Sequence, residues 1–164
     1  MLITERLELR KPRLDDDLTD FVADDEVQRW TGGAGETPAE VIERWVRRWE
    51  RNGIGQFIVE LDGRFIGRVG FLVWDRRTWE TSAYDIAGEH AETELGWAIL
   101  QPYWGHGYAT EAAIAARDWA GLDRVISLID PANERSMRVA EKLGATRTER
   151  VETPHAIADV WVHP

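Results

Sequence analysis

Residues 93–112 read TELGWAILQPYWGHGYATEA. Thr93–Leu100 places Leu95, Trp97 and Ile99 on one face at the two-residue period of a strand. Further on, Tyr108, Ala112, Ala115 and Trp119 recur at i, i+4, i+7 and i+11, and Gly121 stops that helical pattern. Between them lies Trp104-Gly105-His106-Gly107. Two glycines two apart let a backbone approach a ligand closely, and the helix N-terminus beyond offers unpaired N–H groups and a partial positive charge. Together they suit a phosphate or pyrophosphate. Gly105–Thr110 holds no Lys or Arg, so an anion there rests on backbone amides, with Thr110 and His106 assisting. The loop lacks the Gly-Lys-Ser/Thr ending of a Walker loop, and Thr110 stands where the dinucleotide fingerprint wants its third glycine. Taken alone, Gly-x-Gly also describes a plain tight turn.

On the N-terminal side, Thr4–Arg10 alternates around Leu7 and Leu9 as a first strand, and Leu14–Val22 is a short helix candidate. Thr37-Pro38 opens a clearer helix, with a capping Thr and a Pro suited to the first helical position. Val41, Ile42, Trp45, Val46 and Trp49 recur along it until Asn52-Gly53. Gln56–Leu61 and Arg64–Trp74 flank Asp62-Gly63, a favoured two-residue hairpin turn. Residues 75–91 are a poorly patterned insert. On the C-terminal side come a strand over Arg124–Ile129, then a helix capped by Asn133 that runs through Leu143 and stops at Gly144. Two strands, Thr146–Val151 and Ala156–Val162, close the chain. The order β-α-α-β-β-β-α-β-α-β-β predicts a mixed sheet with helices against it, an α+β (or mixed-sheet α/β) fold.

A chain of 164 residues with no internal repeat and no linker reads as a single domain, 1–164. Its longest apolar-plus-Gly stretches, Val69–Trp74 and Leu95–Leu100, fall far short of the roughly 20 residues of a membrane span. The N-terminus lacks the apolar block of a signal peptide, so a cytoplasmic location is expected. Zero cysteines exclude disulfides, Cys nucleophiles, iron–sulfur clusters and Cys-based zinc sites. His90, His106, His155 and His163 show no metal spacing, so no metal is expected. No nucleophile elbow supports a Ser-His-Asp hydrolase. A net charge of −10 argues against nucleic acid as a partner. The charge is uneven: residues 1–100 carry 21 acids and 13 bases, whereas residues 101–164 carry 9 and 7. Asp15–Glu26 holds seven acids and no base, which reads either as a solvated helix face or as a device attracting a cation. Nine tryptophans suit a core, with any exposed ones lining a pocket.

The stretch 93–112 resembles the cofactor-binding core of the GNAT acetyltransferase superfamily. NERSMRVAEKLG (133–144) resembles that superfamily's second signature, an Asn-initiated helix ending in Lys-Leu-Gly. TERLELR (4–10), Arg29-Trp30-Thr31-Gly32-Gly33 and the closing strand are similar too, pointing to the branch that holds ribosomal-protein N-terminal acetyltransferases and some antibiotic acetyltransferases. The likeness spans essentially the whole chain and is weakest over 75–91. It implies a central twisted mixed sheet flanked by helices, with acetyl-CoA as co-substrate.

Residue by residue, the resemblance implies that pantetheine pairs with main-chain groups of Trp97, Ala98 and Ile99. The pyrophosphate would sit on amides of Trp104, Gly105, His106, Gly107, Tyr108, Ala109 and Thr110. One departure stands out. The superfamily often has Arg or Gln three residues before the first glycine, and here Pro102, which has no N–H to donate, takes that place one residue after Gln101. Glu94 occupies the position of the family's amine-deprotonating carboxylate, with Glu92 and Glu89 as nearby substitutes. An ammonium is no nucleophile, so such a base meets a plain chemical need. The family's proton-donating Tyr is replaced by Ala140, and Ser136 near the helix start is the substitute donor. A Ser in a first turn also serves as a capping group, as an isolated Glu at a strand start also serves as a solvated residue. Asn133 resembles the family's cofactor-contacting Asn while equally serving as N-cap.

The expected activity is direct acetyl transfer from acetyl-CoA to an amine: a protein N-terminus, an aminoglycoside-like molecule or another small cationic amine. Trp30, Asp24, Asp25 and Glu26 would bind that acceptor, since the region after the first strand forms one wall of the family's acceptor site. The missing cysteine favours direct transfer over a Cys-linked acyl-enzyme. The alternatives are a catalytically weak acyl-CoA-binding or sensing domain of the same fold, and a non-enzymatic interaction module. A monomer or homodimer is expected.

Overall fold

Asp62 and Gly63 both take left-handed backbone angles (φ 50° and 77°), the turn whose twist matches a hairpin. They join β3 (Gln56–Leu61) to β4 (Arg64–Asp75) at the centre of a mixed sheet. The computed structural model describes residues 1–31 and 35–164. Gly32 and Gly33 of the Arg29–Gly33 segment lie outside them. The other elements are β1 (Leu2–Ile3), β2 (Glu8–Arg10), α1 (Thr19–Ala23), α2 (Asp25–Thr31), α3 (Pro38–Asn52), β5 (Glu80–Thr81), α4 (Tyr84–Ala87), β6 (Ala91–Ile99), α5 (Tyr108–Ala120), β7 (Ile126–Ile129), α6 (Glu134–Lys142), β8 (Thr146–Glu152) and β9 (Ile157–Val162). The described residues form a nine-stranded sheet ordered β1-β2-β3-β4-β6-β7-β9-β8, with β5 paired to β4. No helix of the described residues is long and apolar enough to cross a membrane.

Where local chemistry is strong, the elements follow the sequence. Thr37 and Glu40 form a reciprocal capping box, Pro38 enters the first turn, and Gly53 (φ 69°) closes α3. Three differences have local causes. The first strand breaks in two because Thr4 turns back on Leu7, its N–H donating to the Leu7 carbonyl while its hydroxyl oxygen accepts the Leu7 N–H. The first helix starts only at Thr19, whose N–H and hydroxyl bond the Asp17 carboxylate. The acidic run continues into a second helix, α2, because Asp24 accepts the Val27 N–H as a cap.

One sheet face is covered by α1, α2 and α3 through Leu18, Phe21, Val27, Val41, Ile42 and Trp45, packed on Ile58 and Leu100. The other is covered by α5, whose buried Ala112, Ala113 and Ala116 let the helix lie close to Val69, Phe71 and Leu95. On α6, Ala140 packs with Ile129 and Trp161.

Within the described sheet, β6 and β7 make the one parallel contact, a single register pair of Glu94 with Ile126. A side chain closes the junction where a ladder bond would otherwise follow. Ser127 Oγ donates to the Leu95 carbonyl at 2.6 Å and lies 2.8 Å from His163 Nε2. The hydroxyl proton is committed to the carbonyl, so the imidazole Nε2–H donates to Ser127. Burial, then the nearby Arg117 charge, keeps His163 neutral, its pKa lowered to about 4. Replacing Ser127 by Ala leaves a buried carbonyl and a buried imidazole N–H unpaired. The expected cost is about 1–3 kcal/mol, read as a lower urea midpoint; a wild-type midpoint would show that the hydroxyl does not hold the junction.

Candidate active site

Past the Glu94–Ile126 pair the two strands diverge, and a cleft of about 870 Å³, its open mouth included, occupies the gap. Leu95–Ile99 of β6 and Ser127–Ile129 of β7 form its sides. The Leu95 carbonyl faces β7, so the two-residue alternation of a strand puts the N–H and C=O of Trp97 on the same, unpaired edge. Trp97 and Ile99 therefore face the open side, the Ile99 carbonyl being taken by the Trp104 indole, while the main-chain groups of Ala98, expected to pair with pantetheine, are turned to β4.

The Gly-x-Gly loop closes one end. Gly105 and Gly107 adopt φ of 83° and 79°, the left-handed region that a side chain disfavours. Gly107 is the N-cap of α5 and supplies no side-chain acceptor, so the first-turn amides of Tyr108, Ala109 and Thr110 carry no side-chain cap. Trp104 and Ala109 line the cleft, and the Trp104 indole N–H donates to the Ile99 carbonyl at 2.6 Å. His106 stacks on Tyr108 at the exposed outer side.

Four residues given no site role in the sequence, Thr4, Arg6, Glu111 and Arg135, hold or flank this loop. Glu111, in the first turn of α5, accepts from the Thr4 hydroxyl (2.6 Å), the Arg6 N–H (2.8 Å) and Arg6 Nε (2.7 Å). Arg6 also donates to the His106 carbonyl at 2.8 Å and covers the Tyr108 ring. Burial pushes the Glu111 carboxyl up, but the Thr4 and Arg6 hydrogen bonds outweigh it and hold the group below the ordinary range. Arg135 of α6 places its guanidinium 3.5 Å from the centre of the Trp104 ring at the cleft wall. It thus brings to the amide cluster a cation that the loop lacks.

Of the carboxylates Glu89, Glu92 and Glu94, Glu94 lines the cleft. Glu92 is buried and paired with Arg124 at 3.0 Å and Arg76 at 3.7 Å, and Glu89 is exposed beside His90. Glu94 is half-buried and accepts the Trp74 indole N–H at 2.7 Å. Burial pushes its carboxyl up to about 7, against the opposing pull of that hydrogen bond and of the Arg68 and Arg48 charges. Gly96 makes room for the arrangement: a Cβ there would sit 3.0 Å from Arg68 Nη1 and 3.4 Å from Glu94 Oε1. Ser136 lines the cleft from α6; its N–H donates to Asn133 Oδ1 at 3.2 Å, so Asn133, also in the wall, caps the helix. The Ser136 hydroxyl has no hydrogen-bond partner among the described residues. Glu26 and Trp30 line the cleft; Asp25 is exposed, and Asp24 is engaged by Val27 and by the Gln101 N–H at 2.8 Å.

An acetyltransferase (GNAT) domain model matches residues 6–146. The chain is 31% identical over 156 residues to the uncharacterized protein YkkB of Bacillus subtilis, covering 87% of this chain and 83% of that one. Among solved structures it is similar to an acetyltransferase from Agrobacterium tumefaciens, with a TM-score of 0.78, 29% identity, and coverage of 99% and 93%. It also shares its fold with AAC(6')-Ib, solved with paromomycin and acetyl-CoA, at a TM-score of 0.75, 21% identity, and coverage of 97% and 93%.

The opposing influences on Glu94 give a checkable sign. An indole N–H favours the charged carboxylate, so Trp74→Phe raises the Glu94 pKa above its wild-type value. Carboxyl-carbon NMR of glutamate-labelled protein reads this directly. An unmoved or lowered resonance midpoint would show that the indole does not stabilise the anion.

Proposed function

Because the chain belongs to the acetyltransferase (GNAT) family, we propose that it transfers the acetyl group of acetyl-CoA directly to an amine in the β6–β7 cleft. The observation that carries this reading is Glu94, a carboxylate with its pKa near neutrality, at the fork where a strand edge, a cap-free helix N-terminus and Ser136 converge. The open edge at Trp97 and Ile99 suits the amides of pantetheine. The amides of Trp104–Thr110, with Arg135 beside them, suit the pyrophosphate. Acetyl-CoA in the fold relative AAC(6')-Ib supports the assignment.

The neutral amine nitrogen attacks the thioester carbonyl carbon, and its proton passes to the Glu94 carboxylate, directly or through water. The tetrahedral adduct collapses with cleavage of the C–S bond, and the departing thiolate takes a proton from the Ser136 hydroxyl or from solvent. A base with a pKa near 7 is matched to neutral pH. With no cysteine in the chain, no Cys-linked acyl intermediate intervenes. The acceptor is an amine of the class expected from the sequence, a protein N-terminus or a small cationic amine. Glu26 and Trp30, which line the cleft, would bind it.

Glu94→Gln lowers kcat by about 10²-fold, the low end for loss of a general base, with the KM for acetyl-CoA unchanged. Wild-type kcat/KM rises with pH through about 7, because the base works only once it is deprotonated, and the variant lacks this acid limb. Ser136→Ala costs less, since a thiolate leaves readily unprotonated. Equal rates and equal pH profiles in all three proteins would remove both residues from the chemistry. Separately, Gly107→Val forces a branched side chain onto a φ of 79° and cuts CoA affinity, measured by calorimetry on folded protein. Tight acetyl-CoA binding with no CoA release from any amine would identify the acyl-CoA-sensing domain instead.

A further inference from the structure

A second cavity, about 390 Å³ with its open side included, adjoins the first on the α3 face of the sheet. Arg68 and Thr31 line both spaces, so the two adjoin. The polar lining of the second is dominated by three arginines, Arg44, Arg48 and Arg68, with Gln28 and Gln56 beside them; no acidic residue lines it among the described residues. In a chain with 30 acids and 20 bases, this is an unexpected place to find three cations and no anion.

The three are not equivalent. Arg44 is paired with Glu36. Arg68 has one polar contact among the described residues, Nη1 to Gln56 Oε1 at 3.3 Å, and Arg48 has none. Glu94 bonds Trp74 and acts on both arginines through space, with no salt bridge to either among the described residues. Burial, followed for Arg48 by repulsion from Arg44 and Arg68, lowers the pKa of Arg48 and of Arg68 to about 10, so both stay charged at neutral pH. One carboxylate acting through space leaves two desolvated cations only partly compensated, which a further negative group would relieve.

We propose that Arg48 and Arg68 form an anion subsite for the acceptor, so that the amine deprotonated by Glu94 belongs to a small molecule that also carries a carboxylate. The proposal rests on the acetyltransferase reading above and narrows its substrate class. Arg68 Nη1 and Glu94 Oε1 approach the same point above Gly96, at 3.0 and 3.4 Å from it, so amine and carboxylate must lie only a few bonds apart in the acceptor. That spacing describes an amino-acid-sized molecule. A planar guanidinium suits bidentate capture of a carboxylate. Glu26 in the first cavity and the arginines of the second offer opposite charges to the two ends of such a molecule. A polycation such as an aminoglycoside would instead press a second ammonium against Arg48 and Arg68.

The test compares matched acceptors and two anion probes. CoA release is measured with β-alanine, aspartate and glycine against propylamine, ethylamine, aminoethylphosphonate, kanamycin and a peptide with an acidic first residue. A carboxylate-bearing small amine is the best acceptor, and Arg48→Met raises its KM about tenfold or more while leaving the KM of acetyl-CoA alone. With propylamine Arg48→Met leaves the KM nearly unchanged, because the interaction removed is absent there, and any difference falls in kcat through the Glu94 carboxyl that Arg48 helps to hold down. Independently of turnover, succinate raises the wild-type Tm, and Arg48→Met with Arg68→Met abolishes the rise. A stronger response to inorganic phosphate and to aminoethylphosphonate would overturn the carboxylate in favour of a phosphate. A preference for kanamycin, propylamine or the peptide, or a Tm indifferent to succinate, would overturn the proposal. Succinate stabilisation in a protein that binds no CoA would overturn the acetyltransferase reading and keep the anion pocket.

Discussion

The single parallel contact between β6 and β7 is the constraint on which the rest depends. A sheet that stayed paired along both strands would have no cleft. One that parted without a tie would leave the Leu95 carbonyl and its neighbours unsatisfied in the core. Ser127 resolves this by bonding Leu95 from its side chain, so the strands remain joined at Glu94 and separate immediately beyond. The open edge at Trp97 is then stable as a solvated groove and complementary to a ligand rich in amides.

Chemistry at the fork follows from two opposed forces on Glu94. Burial alone would drive a carboxyl to stay protonated, which makes a poor base; full exposure would leave it too weakly basic to take a proton from an ammonium-derived amine. Trp74, Arg68 and Arg48 hold the group between these limits at about 7. The arginines act through space without forming an ion pair. A direct pair would depress the carboxyl further and occupy an oxygen that the proposed reaction needs free. Gly96 sustains this geometry, since any side chain there would intrude between the guanidinium and the carboxylate.

What was legible in the sequence is what short-range chemistry determines. Asp62-Gly63, Thr37-Pro38 and Asn133 each specify a turn or a cap through their own atoms. The change from alternation at Leu95–Ile99 to helical spacing at Tyr108–Trp119 exposes the Gly-x-Gly loop between. What was not legible needs contacts between distant residues. Glu111 and Arg6 are 105 positions apart, and nothing local marks either as a clamp on the loop. Arg44 and Arg48 lie on a helix that the sequence marks only by its apolar stripe from Val41 to Trp49. Only the fold sets them over Arg68 and makes a pocket. Asp24 shows the reverse, since a residue grouped with an acidic patch proves to be a helix cap with a second carboxylate oxygen on Gln101.

The fate of the acidic run changes how net charge bears on this site. Asp16 is consumed by Arg10 and by the Arg13 N–H, Asp17 by Thr19, and Asp24 by α2 and Gln101. Asp15, Asp20 and Asp25 are exposed, where salt screens them over roughly 8 Å at physiological ionic strength. Glu26 alone of the seven enters the cleft. A chain carrying −10 thus brings Glu26 and Glu94 into a cleft beside Arg68, with Arg48 in the adjoining cavity, and on the proposal above these four meet the acceptor. Such a balance selects by the placement of charge and not by its sum. A molecule whose own positive and negative ends match the two pairs is favoured over one that merely answers the protein's overall sign.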